Sequence, residues 1–168
     1  WAVQEQPVRL PLIPAQGLEL STYLIDDDTI KDASLLPLGG AGLLNGDYLL
    51  GETYSIDKTP PAVVSIVRAS GNPSGAASVN FTVTFSKSVT GVDTADFSVA
   101  NAGTTVIGAS VTSVTGTGLT RTVAVNTGTG SGTLRLDLID NDSIMDTVGN
   151  PLGGAGLLNG DYLLGQSY

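Results

Sequence analysis

The chain has 168 residues, no cysteine and no histidine, and a formal net charge of −9 from 16 acidic and 7 basic side chains. These absences exclude a disulfide scaffold, thiolate zinc sites, cysteine nucleophiles and a Ser-His-Asp triad, so the expectation is a protein that is not an enzyme. The acidic balance argues against binding nucleic acid, because it repels phosphates, and no run reaches the roughly eighteen apolar residues of a membrane span. Hydrophobic residues make up 41% of the chain but aromatics only 5%, so small and β-branched side chains must fill the core, as suits strands and turns.

In chain order, residues 1–54 read as three strands, Val8–Ile13, Leu18–Ile25 and Leu49–Tyr54, interrupted by acidic and glycine-rich loops. The Pro60-Pro61 pair forbids helix and introduces Ala62–Arg68 as a first edge strand. In SVNFTVTFS, Val79, Phe81, Val83 and Phe85 share one face and Asn80, Thr82 and Thr84 the other, the period of a half-buried strand. Short strands are expected at Ser88–Val92 and Phe97–Ala100, on either side of a turn at Asp93–Asp96. Thr105–Val114 and Thr120–Asn126 follow, separated by TGTG. Next comes TLRLDLID, with Leu134, Leu136 and Leu138 inward and Arg135 and Asp137 outward. Val79, Phe81, Val83, Phe85, Val123, Val125, Leu134, Leu136 and Leu138 form the expected core. Many short one-sided strands must stack as two sheets, so the fold class is all-β, a β-sandwich of immunoglobulin-like type.

The chain repeats itself. PLGGAGLLNGDYLLG occurs at Pro37–Gly51 and at Pro151–Gly165, 114 residues apart, and LIDDDTIKD at Leu24–Asp32 matches LIDNDSIMD at Leu138–Asp146 at the same offset. A period of that length is one small domain. The domain reading is therefore 1–54, the C-terminal half of one repeat, followed by 55–168, a complete or nearly complete repeat. Asn45-Gly46 and Asn159-Gly160 carry the signature of a type I′ hairpin turn, which would deliver the chain into its last strand. A half repeat cannot bury its own apolar face, so Leu18, Leu20, Leu24, Leu43 and Leu44 are expected to leave an exposed patch, which either earlier residues of a longer chain or strand addition from a neighbouring copy would cover.

The acidic clusters are the only chemistry the sequence offers. Asp26, Asp27, Asp28 and Asp32 return as Asp140, Asn141, Asp142 and Asp146. Side-chain oxygens at this spacing in a turn can converge on calcium, and Asp26, Asp28, Asp32, Asp140, Asp142 and Asp146 are the candidate ligands. The glycine and terminal glutamate of an EF-hand are missing, and the competing reading is a solvated acidic turn in which Asp28 or Asp142 caps a short helical turn. Asp57 falls between the repeats, where a cation could stiffen the joint. Lys58 or Lys87 with an asparagine and an acid could form an isopeptide bond, but no signature supports it over a salt bridge. TGTGSGT around Gly128 lacks the lysine of a phosphate-binding loop and reads as a turn. The abundant serines and threonines could carry glycans, but exposed strand faces ordinarily hold them.

DKTPPAVVSI, VNFTVTFSKSVTGVDTADFSV and DTVGNPLGG resemble the bacterial Ig-like repeats of large surface proteins and adhesins. The resemblance covers Asp57–Tyr168 fully and Leu18–Ile56 as a half repeat. It implies an extracellular, secreted or wall-linked protein built of many such modules, to which the half repeat adds the expectation of neighbouring copies of itself as partners in a fibre. The alternative is a carbohydrate-binding or accessory module of a secreted hydrolase, which would require exposed aromatic side chains.

Overall fold

A computed structural model describes residues 19–102 and 105–168. The expected strand Val8–Ile13 and Leu18 lie outside them. The chain divides after Asp57 into two compact units, the second being Lys58–Tyr168. Among the described residues there is no α-helix, and every sheet is antiparallel.

In the first unit, strands β1 (Glu19–Ser21) and β2 (Thr53–Ser55) pair in antiparallel register, Leu20 opposite Tyr54. An isolated bridge between Leu24 and Tyr48 continues the ladder. The strands are shorter than the apolar runs Leu18–Ile25 and Leu49–Tyr54 suggest, because the acidic loop draws the chain out of the ladder.

The second unit contains β3 (Val63–Arg68), β4 (Ser78–Thr90), β5 (Phe97–Ala102), β6 (Ser110–Thr115), β7 (Gly118–Asn126), β8 (Thr133–Leu138) and β9 (Met145–Asp146). One sheet runs β3-β4-β7-β6, with β9 paired to the end of β4, and a second pairs β5 with β8. The register places Phe81 opposite Val123 and Val79 opposite Val125, so the inward residues of β4 and β7 stand side by side. Val89 and Thr90 belong to β4 itself, not to a separate strand at Ser88–Val92, because a register irregularity after Thr84 lets the strand continue and meet β9. Asp93–Asp96 forms the expected turn as a one-turn 3-10 helix, closed by a capping box in which Asp93 accepts from Ala95 N (2.7 Å) and Asp96 accepts from Asp93 N (2.8 Å).

All nine expected core residues are buried, joined by Ile66, Val89, Phe97, Ile144 and Leu152. All of them except Leu134 form one apolar cluster that draws on both sheets, an arrangement consistent with a β-sandwich. Each large side chain so buried contributes about 1.5–3 kcal/mol.

β3 ends its sheet as the expected edge strand, and Gln166 N donates to Ile66 O (3.0 Å) on its outer side. The C-terminal segment also pairs with β8, through Tyr162 against Leu138 and reciprocal bonds between Leu134 and Tyr168. One local expectation, the outward placement of Asp137, is overturned. Asp137 is buried, not outward, because Arg135 folds over it with bonds of 2.6 and 2.9 Å. Arg121 lies on the inward side of β7 at its end, where its guanidinium satisfies the carbonyls of Val89 (2.6 Å), Thr120 (2.9 Å) and Gly118 (3.1 Å).

Candidate functional site: the duplicated acidic loop

The duplicated sequence folds twice into one loop. In the second unit, Asp140 is buried and its carboxylate accepts from Asp142 N (3.1 Å) and Gly160 N (3.2 Å), while its own N–H donates to Asp161 Oδ1 (2.7 Å). In the first unit, Asp26 is buried and accepts from Asp28 N (3.1 Å) and Gly46 N (3.2 Å), and its N–H donates to Asp47 Oδ1 (2.7 Å). Asp142 accepts from Gly156 N at 3.0 and 3.3 Å, as Asp28 does from Gly42 N at 3.1 and 3.3 Å. Carboxylates that would otherwise be costly to bury are thus satisfied by backbone donors.

The third pair completes the loop base. Asp32 Oδ1 accepts from Ser34 N (2.8 Å) and Leu36 N (3.0 Å), and Asp146 Oδ1 from Val148 N (3.0 Å) and Asn150 N (2.9 Å). Asp146 Oδ2 also takes Asn150 Nδ2 at 3.0 Å and Lys87 Nζ at 3.2 Å. Burial of Asp146 opposes its charge, but the Asn150 side chain and N–H, Lys87 and Val148 N together hold its carboxyl well below the ordinary value. At exposed Asp27, the Thr29 hydroxyl and N–H lower the carboxyl pKa. Lys87 thus forms a salt bridge to an ionised acid and also bonds Thr59 O. Lys58 is exposed.

The six candidate ligands are therefore distributed along the loop, each bound to its own backbone donors. Among the described residues no group of three or more His, Cys, Asp or Glu side chains is arranged to hold a metal ion. Asp28 and Asp142 do not cap a helical turn: both adopt positive φ (63° and 64°) and reach across the loop to a glycine N–H.

The Asn-Gly turn expectation also fails. Positive φ falls on Leu44 (69°) and Leu158 (67°), not on Asn45, Gly46, Asn159 or Gly160, so no type I′ turn forms. Asparagine serves instead through its amide, with Asn45 Nδ2 donating to Gly40 O (3.2 Å) and Asn159 Nδ2 to Gly154 O (3.1 Å). Glycine follows because a Cβ at Gly160 would stand 2.7 Å from Leu152 Cγ. Sequence reasoning missed Asp47 and Asp161, whose visible signal was their place in the repeated NGDY. It also missed Asp96, which accepts from Ser143 Oγ (2.8 Å).

The fold and loop define an all-β protein of antiparallel sheets whose acidic side chains organise backbone. No family model, curated protein or solved structure matches the chain. Among the described residues no helix is long and apolar enough to cross a membrane.

Proposed function

We propose that this protein is a structural, adhesive component of the cell exterior, built of tandem Ig-like repeats and assembled head-to-tail with neighbouring copies into a surface fibre. In this reading residues 55–168 are a complete or nearly complete repeat and residues 1–54 the C-terminal half of another. One observation carries the reading: the same loop, with the same buried aspartate and the same hydrogen bonds, is built at two places 114 residues apart. Duplicated modules with uniform joints suit a protein whose task is reach and repetition. The carboxylates of that loop spend their acceptor capacity on the fold, which supports a role other than catalysis. Protease shaving of intact producing cells tests this: peptides of this chain should appear in the released fraction, and recovery only from the lysate would refute it. Exposed Tyr23, Tyr48 and Tyr54 favour the second reading, a carbohydrate-binding module, and glycan-array binding lost on their replacement would support it.

A further inference from the structure

The Asn-Gly pairs of the duplicated loop carry a chemistry of their own. Asparagine is thermolabile, and most of all before glycine, which has no side chain to hinder attack by its nitrogen. In this chain only Asn45 and Asn159 precede glycine. At Asn159 the reaction forms a bond from Gly160 N to Asn159 Cγ and breaks the Cγ–Nδ2 bond. Nδ2 leaves as ammonia with the proton given up by Gly160 N. Water then opens the resulting succinimide at one of its two C–N bonds, leaving aspartate or isoaspartate.

The loop ties both reacting groups down, and to different partners. Asn159 is exposed to water, but its Nδ2 donates to Gly154 O (3.1 Å), while Gly160 N donates to Oδ2 of buried Asp140 (3.2 Å). The first unit repeats the arrangement: Asn45 Nδ2 donates to Gly40 O (3.2 Å) and Gly46 N to Asp26 Oδ2 (3.2 Å). A carboxylate against the N–H opposes loss of the proton that attack requires, because two negative charges would then stand side by side. Gly160 is also pressed against Leu152, so its nitrogen cannot turn toward Asn159 while the loop is closed.

We propose that Asn45 and Asn159 are sites of spontaneous deamidation gated by their own loop. Asp26 and Asp140 hold the attacking nitrogens while it is closed, and the reaction runs from the opened loop. The step is one-way. At Asn159 it replaces an NH2 donor by a carboxylate facing Gly154 O and adds a negative charge beside Asp140, Asp142 and Asp161. As isoaspartate it also lengthens the backbone next to crowded Gly160. The modified loop recloses less well, so a passing opening becomes a lasting one.

The test incubates the full chain at alkaline pH, with and without concentrated urea, and follows deamidation in tryptic peptides 32–58 and 136–168, which report Asn45 and Asn159 separately. Each site should react about tenfold or more slowly in the native chain, the factor that one hydrogen bond to a charged group represents. Asp140→Ala should speed Asn159 by about the same factor and leave Asn45 at its native rate, and Asp26→Ala should do the reverse. Equal rates in buffer and urea would overturn the proposal. So would an Asn159 rate that is unchanged in Asp140→Ala, or slower, which would make the carboxylate a base and not a guard. Tyr168→Phe weakens the same unit away from the loop; if it speeds Asn159 as much as Asp140→Ala does, the bond to Asp140 is not the gate. Should Asp140→Ala not fold, Asp140→Asn decides, with an intermediate rate expected and the native rate overturning the proposal. Finally, Asn159→Asp should unfold at lower urea than the native chain, and an equal midpoint would refute the one-way step.

Discussion

Replacing Asp140 separates a carboxylate that organises backbone from one that holds a cation. The side chain is 2% exposed and accepts two backbone N–H groups, at 3.1 and 3.2 Å. Hydrogen bonds to a charged acceptor contribute about 1.5–3 kcal/mol each. Asp142 and Gly160 are themselves only partly buried, so water recovers part of the loss, and the lower end of that range applies to both. Asp140→Ala should therefore cost about 3 kcal/mol, which lowers the melting temperature of a domain of this size by about 12 °C. Asp140→Asn keeps one acceptor but turns its NH2 toward a donor, and should cost about half or more of that. Scanning calorimetry of the three proteins, in calcium and in chelator, is the assay. The organising role predicts that the native transition stays put on chelation and that the loss in each variant is equal in both buffers. A native transition that falls in chelator, with Asp140→Ala insensitive to calcium, would refute the argument and support the calcium reading of Asp26, Asp28, Asp32, Asp140, Asp142 and Asp146.

At Asp146, where the folded carboxyl sits below its ordinary 3.8, the contribution to stability is complete above that value and is lost as pH falls through the folded one. Asp146→Asn should therefore be less stable at neutral pH, with a gap that narrows once the pH falls below 3.8 and is visibly smaller at about pH 2.5; a gap of constant size in denaturation at both pH values would contradict this. Gly153→Ala should cost roughly 2 kcal/mol or more, because φ is +71° and the new Cβ would stand 2.5 Å from Gly160 N; an unchanged urea midpoint would show that the loop shifts freely. Tyr168→Phe keeps the ring on Phe81 but removes the hydroxyl that accepts from Ser70 N (2.7 Å) and donates to Asn80 O (2.8 Å), so a loss of about 1–2 kcal/mol is expected in the same assay.

The strands were legible in the sequence because their information is local. Val79, Phe81, Val83 and Phe85 alternate with polar residues, and a period of two fixes which face must be buried whatever the rest of the chain does. The loop was not legible, because its conformation is set by partners 14 to 21 residues apart, Gly156 with Asp142 and Asp161 with Asp140. Those long-range bonds override the turn preference of Asn-Gly and place positive φ on Leu44 and Leu158. Leu35 shows the same dominance. It adopts φ 64° where its counterpart Gly149 has 91°, so the loop imposes the left-handed conformation on a leucine although glycine would accept it without strain. Asp137 was misplaced for a related reason: alternation assigns it to the outer face, but Arg135 two residues away on the same face covers it.

The identity of PLGGAGLLNGDYLLG in both copies divides into two kinds of position. Gly39 and Gly153, Asn45 and Asn159, Gly46 and Gly160, and Asp47 and Asp161 are tied to the loop by crowding or by hydrogen bonds in each copy. Their retention follows from the fold alone. Leu38 and Leu152 are different, since one is fully buried and the other is not. A leucine buried in one copy is tested by packing there, whereas an uncovered leucine is free to drift toward polar residues at little cost to its own unit. Ile30, Leu24 and Tyr54 stand in the same position as Leu38, and all have stayed apolar or aromatic like their covered counterparts. An acidic, glycine-rich unit gains no solubility from keeping them. Leu43 and Leu157, and Leu50 and Leu164, are exposed in both copies and equally unchanged, so the identity of the uncovered positions follows the repetition itself, as the tandem-repeat reading expects.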